Sequence, residues 1–151
     1  MANYTREIQN MMDRLIYRIL IVDKKGLKAG KKGDVLSGFD IYMLKKIGED
    51  DEKKLYELIE EMEADRGLIA SSLKKLMAYG FVEKEKSPTD KRAFILRLTE
   101  EGKQVYEEKK AEQQQLLDLV LADITLNEEK AVLKFLSRMN QATKSAGKTI
   151  E

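Results

Sequence analysis

"DRGLIASSLKKLMAYGFVEKEKSPTDKRAFILRLTEEG", residues 65–102, changes its apolar period partway along and contains the only proline of the chain. Before Gly80, Ile69, Leu73, Leu76 and Met77 recur at the three- and four-residue spacing of an amphipathic helix. Asp65 is placed to accept backbone N–H bonds as its N-cap, and Gly80 suits the left-handed position after its end. After Gly80 the period falls to two. "FVEKEK" and "AFILRL" read as strands joined by "SPTD", with Phe94, Leu96 and Leu98 on one face and Ile95 and Arg97 on the other. Thr99 then caps a further helix, whose positive end Glu100 and Glu101 favour.

Working outward, Leu55, Leu58, Ile59 and Met62 form the stripe of a short helix that meets the 66–79 helix at a tight joint near Ala64 and Asp65. The two make a helix-turn-helix pattern, and the hairpin behind it makes that pattern winged. Upstream, a helix is expected over about Ser37 to Ile47, burying Phe39, Met43, Leu44 and Ile47, and another from Tyr4 to Val22. Between them "DKKGLKAGKKGD", residues 23–34, holds three glycines and five lysines without period and reads as a flexible connection. Downstream, a long helix continues through Leu116, Leu117, Val120 and Leu121. A cap near Asn127 opens a last helix with Val132, Leu133, Phe135, Leu136 and Met139 inward, and the polar tail from Thr143 is expected to fray. The fold class is therefore mainly α with a small β-hairpin wing. A winged helix-turn-helix lobe over 35–104 is flanked by helical regions 1–34 and 105–151.

Composition removes most chemistry. The 151-residue chain has no cysteine and no histidine, hence no thiolate nucleophile, disulfide, imidazole base or ordinary zinc ligand. Carboxylates are plentiful, but nothing gathers them into an acid/base pair, so no enzyme activity, cofactor or metal is expected. No stretch approaches the roughly 18 apolar residues of a membrane span, and "MANYTREIQNMMDRL" lacks a signal-peptide core, which points to the cytoplasm and no membrane.

Charge is unevenly spread beneath a net of +1. Residues 66–97 hold eight basic side chains against three acidic, while 49–65 hold nine acidic against Lys53 and Lys54. A basic winged helix-turn-helix suits double-stranded DNA, with the second helix in the major groove and the wing at the minor groove or backbone. On the helix the face opposite the core stripe offers Gly67, Leu68, Ser71, Ser72, Lys74, Lys75 and Ala78, and Arg66 is a further DNA-binding candidate at its start. Small residues permit close approach, hydroxyls read base edges, and lysines meet phosphate. The wing offers Lys86, Thr89, Asp90, Lys91 and Arg92. Asp90 and Arg92, two apart, share a side of an extended strand, so the carboxylate can aim the guanidinium; a plain turn ion pair has the same spacing. Tyr17, Tyr42 and Met43 are effector-binding candidates, although helix packing explains such residues equally well.

These residues resemble the MarR-type (multiple antibiotic resistance regulator) family of transcription factors. The resemblance rests on Leu76, Gly80, Phe81, Val82 and Lys84, then Asp90 and Arg92, then "LTEEG" at 98–102, in order and at the family's spacing. It implies a homodimer whose terminal helices interlock, a pseudo-palindromic operator, and a repressor released by a small molecule that binds between the dimerisation helices and the DNA-binding lobe. Two recognition helices would then lie roughly 34 Å apart, one turn of DNA. Ala70-Ser71 stands where many members carry Thr-Arg, and the 49–65 segment is unusually acidic. The alternative reading is a winged-helix module that docks protein rather than DNA.

Overall fold

The computed structural model describes the backbone of residues 2–150 and the side chains of residues 2–144. The chain forms two compact units, residues 1–108 and 109–151. In the first, α3 (Leu55–Met62) and α4 (Arg66–Ala78) form the helix-turn-helix, and β4 (Val82–Lys86) and β5 (Phe94–Leu98) form the hairpin behind it. Glu63 turns the chain out of α3 in the left-handed conformation. Asp65 occupies the N-cap position of α4, but its side chain makes no capping bond. At the other end Gly80, at φ +80°, lets its own N–H reach the Met77 carbonyl and the Phe81 N–H reach that of Leu76.

The wing is wider than a hairpin. A two-residue strand β3 (Lys53–Lys54) joins it, giving the antiparallel order β3-β5-β4 with Lys53 opposite Leu96 and Lys84 also opposite Leu96. This central position of β5 breaks the simple alternation expected of it: Leu96 is fully buried and Ile95 on the opposite face is buried as well.

α2 (Gly38–Gly48) opens on a capping box, the Ser37 hydroxyl accepting from the Asp40 N–H and the Asp40 carboxylate from the Ser37 N–H. Met43, Leu44 and Ile47 of α2 join Leu58, Ile69, Leu76, Phe81, Leu96 and Val105 in one core. The 23–34 segment is not a loose connection. β1 (Leu27–Ala29) and β2 (Asp34–Leu36) pair antiparallel, with glycines at positive φ at Gly26, Gly30 and Gly33, and Ala29 and Leu36 enter the core.

α1 (Tyr4–Lys25) precedes this hairpin and buries no residue. α5 (Glu100–Leu121) starts in the first unit, where Thr99 caps it by accepting from the Gly102 N–H, and ends in the second. α6 (Leu126–Ile150) starts two residues earlier than Asn127 suggests, because Thr125 and Glu128 form the capping box. It runs on through the tail expected to fray, whose side chains from 145 onward lie outside the described residues. Of the stripe expected to point inward, Val132, Leu133, Phe135 and Leu136 are exposed in the single chain and Met139 is partly buried. No described helix is long and apolar enough to cross a membrane.

Candidate nucleic-acid interface

Four buried residues of α4, Ile69, Ser72, Leu73 and Leu76, define its inner face. At 100° per residue, the direction opposite to them is held by Gly67, Ser71, Lys74 and Ala78, all exposed. Arg66 and Leu68 are exposed at the amino-terminal end, Leu68 by 57%. Ser72 therefore departs from the expected outer face: it stands three residues after Ile69 and four before Leu76, within the apolar stripe. Its hydroxyl donates to Asp40 Oδ1 at 2.5 Å. Lys75 is half-withdrawn with it, its ammonium 2.6 Å from Asp40 Oδ2. Burial alone would push the Asp40 carboxyl up, but the Lys75 ammonium and the Ser72 and Ser37 donors outweigh this and hold it below its ordinary value.

The wing tip is a loop rather than strand, and it is built on Ser87. Its buried hydroxyl accepts from the Thr89 and Asp90 N–H groups at 3.3 and 3.2 Å, and its N–H donates to the Ala93 carbonyl. Asp90 accepts from the backbone N–H of Arg92 at 3.0 Å, so it braces the loop backbone instead of aiming the guanidinium. Thr89, Asp90, Lys91 and Arg92 are exposed at this tip, and Lys86 is exposed at the end of β4. Lys84, on the same strand, places its ammonium 4.4 Å from the Phe94 ring centroid.

Ion pairing sorts the charges that sequence could only count. Of the eight basic residues between 66 and 97, Lys75 is paired with Asp40, and Arg97 binds Glu52 and Glu85. Lys84 has no ion pair but lies over the Phe94 ring, and the other five, Arg66, Lys74, Lys86, Lys91 and Arg92, carry neither kind of partner among the described residues and lie on α4 and the wing. The acidic segment is partly internal counter-charge: Asp50 and Glu61 hold Lys53, Glu52 holds Arg97, and Glu49 holds Lys46. Its net negative charge thus weighs less against DNA than the composition suggests.

The effector candidates do not converge. Met43 is a fully buried core residue, excluded from any ligand surface, because its position on α2 faces the sheet and α4. Tyr17 and Tyr42 are exposed, the latter with the Lys46 ammonium 5.6 Å from its ring centroid. No group of three or more carboxylates suited to a metal occurs among the described residues.

A recognition helix, a three-stranded wing and five unpaired cations on those two elements define a winged-helix DNA-binding regulator. A profile described as a winged helix DNA-binding domain matches residues 36–102. The HTH-type transcriptional regulator BilQ of Clostridium symbiosum (strain WAL-14163) is 32% identical over 125 residues, 83% of this chain and 80% of that protein. The uncharacterized HTH-type transcriptional regulator YdgJ of Bacillus subtilis (strain 168) is 28% identical over 89 residues, 59% of this chain; the match spans only 54% of that relative's length. Among solved structures, Streptococcus pneumoniae FabT in complex with DNA shares the fold at TM-score 0.78, with 19% identity over 95% of this chain and 99% of that one. The MarR protein from Peptoclostridium difficile DA00132 does so at 0.69, with 23% identity over 99% and 93%. The chain belongs to the MarR-type family of winged-helix transcriptional regulators, which are not enzymes.

Proposed function

We propose that this chain is a cytoplasmic, homodimeric repressor that reads a pseudo-palindromic site on double-stranded DNA and is released by a small-molecule effector. The observation that carries the reading is that the five unpaired cations all lie on α4 and the wing, at the start and outer face of the helix and at the end and tip of the hairpin. Arg66, Gly67, Leu68, Ser71 and Lys74 would enter the major groove, and Lys86, Thr89, Lys91 and Arg92 would meet the minor groove and backbone, with Asp90 bracing the tip.

Dimerisation, with 1–34 and 105–151 as the interlocking regions and 35–104 as the DNA-reading lobe, is supported by two exposed apolar stripes. On α1, Ile8, Met11, Leu15, Ile19 and Leu20 are each about half exposed or more; on α6, Val132, Leu133, Phe135 and Leu136 are also open. Apolar faces of this extent mark protein interfaces. Leu133→Asp is expected to shift the protein from dimer to monomer in sedimentation at micromolar concentration; a dimer that persists unchanged removes α6 from the interface.

The effector part of the reading is supported by a cleft of about 260 Å³ in the first unit, lined by Arg18, Ile19, Val22, Asp23, Leu27 and Gly38. Its walls are apolar and its one guanidinium, Arg18, is matched by one carboxylate, Asp23, which suits a small apolar molecule bound unequally by DNA-competent and DNA-incompetent states.

The test is fluorescence anisotropy with the DNA upstream of the gene and with duplexes selected in vitro, at about 50 and 200 mM salt. Wild type is expected to bind with a steep salt dependence, and Arg92→Ala to lose on the order of 1–3 kcal/mol. Failure of the folded dimer to bind any duplex at low salt would reject DNA as the partner and favour the protein-docking module.

A further inference from the structure

The capping box of α2 does more than close a helix. Asp40 is only 4% exposed, and after accepting from the Ser37 N–H at 2.9 Å it accepts two more donors from α4. These are the Ser72 hydroxyl at Oδ1 and the Lys75 ammonium at Oδ2, at 2.5 and 2.6 Å. Ser72 and Lys75 are three residues apart on one side of α4, so a single carboxylate spans nearly one helical turn. The other contacts of the α4 inner face, through Ile69, Leu73 and Leu76, are apolar: they fix which side of the helix is buried but supply no directional bond. The two bonds to Asp40 are directional, and a one-residue rotation of α4, 100°, would break both.

Lys75 sits at the border of the exposed face, its side chain 36% exposed, so its ammonium has two places to go. In this structure it lies against a buried carboxylate. Released, it would extend into solvent beside Lys74 and add one more sequence-independent cation to the face that meets phosphate.

We infer that Asp40 is a positioning and specificity-determining residue: it fixes the rotation of the recognition helix and withholds Lys75 from the DNA backbone. The inference rests on the DNA-binding reading above. It assigns Lys75 and Ser72 to orientation instead of contact.

Two measurements test it. The first needs no DNA: brief lysine acetylation followed by mass spectrometry compares Lys75 with Lys74. Lys75 is expected to react several-fold more slowly than Lys74 in the wild type and at a similar rate in Asp40→Asn, which keeps the shape of the side chain and removes its charge. Equal reactivity in the wild type overturns the tie. The second compares binding to a duplex selected with the wild type and to a random duplex of the same length. Asp40→Asn is expected to bind random DNA more tightly, to steepen the logarithmic salt slope by about one, and to lose on the order of tenfold in the selected-to-random ratio, comparable to one mismatched base pair. Lys75→Met in that background should return the slope but not the ratio.

A merely structural role would lower the folded fraction and leave slope and ratio unmoved, and that result overturns the proposal. Should Asp40→Asn not fold, Lys75→Met alone decides. Its slope is expected to equal that of the wild type, and a slope reduced by about one would make Lys75 a phosphate contact. If no duplex is bound at all, the DNA reading fails and takes the positioning role with it, while acetylation still reports the tie itself.

Discussion

Gly102→Ala is expected to destabilise the folded protein by about 3 kcal/mol, at the upper end of overpacking costs because the obstacle is backbone. A Cβ at this position would lie 2.0 Å from the Phe81 carbonyl oxygen and 2.9 Å from its carbon. That carbonyl cannot drift away, since it accepts the Thr99 N–H at 3.0 Å, and the Thr99 hydroxyl both donates to the Gly80 carbonyl and accepts from the Gly102 N–H. The start of α5 is thus pressed onto the chain entering β4. The sign is the decisive feature. In an open helix, glycine to alanine stabilises by about 1 kcal/mol, so the close approach predicts an effect opposite to helix propensity. Urea unfolding followed by circular dichroism measures it; a midpoint that rises would show that α5 does not approach Phe81 as described. The glycine that ends the "LTEEG" motif has, in this structure, a packing reason and no direct part in DNA contact.

That motif shows what sequence reasoning reaches and where it stops. Periodicity locates α1 through α6 and the β4–β5 hairpin because each buries or presents an apolar stripe several turns or residues long. It misses β1 and β2, whose three-residue strands supply only Leu27, Ala29, Val35 and Leu36 as apolar signals among lysines and glycines. It also misses β3, where the buried residue is Lys53, a type that composition places outside. At the interface the exposed cations of α4 and the wing were legible from local charge. The inward side of Ser72 is legible too, since Ile69 lies three residues before it and Leu76 four after, but its partner Asp40, 32 residues away, is not. Likewise the charge of 49–65 reads as a repulsive patch until Lys46 and Arg97, from outside the segment, are seen to neutralise part of it.

Glu61→Ala is expected to cost about 2 kcal/mol, whereas Lys53→Met stays within about 1 kcal/mol of the wild type, although both remove the same ion pair. The Lys53 ammonium lies 2.7 and 2.8 Å from the Glu61 oxygens and 3.5 Å from Asp50, on a side chain that is 3% exposed. Removing Glu61 leaves that buried charge with one distant partner. Its cost falls below the 3–5 kcal/mol of a fully buried pair because the Glu61 side chain is 42% exposed and solvent already screens it. Removing Lys53 instead leaves Glu61 free to hydrate and puts an unbranched apolar chain in the lysine's place, opposite Leu96. Urea unfolding of both single variants and the double variant gives the coupling, and the double variant is expected to be more stable than Glu61→Ala alone. The pH dependence adds an independent sign. Burial pulls the Lys53 ammonium down, but Glu61 and Asp50 more than offset it, so its folded value lies above the ordinary 10.5. A raised folded value means the stabilisation is complete below about pH 10.5 and is lost as pH climbs through the folded value. The wild type should therefore lose stability above that pH by a component that Lys53→Met lacks. Costs near zero for both single variants, with parallel alkaline profiles, would mean that Lys53 acts through its aliphatic stem alone and that the ion pair contributes nothing of its own.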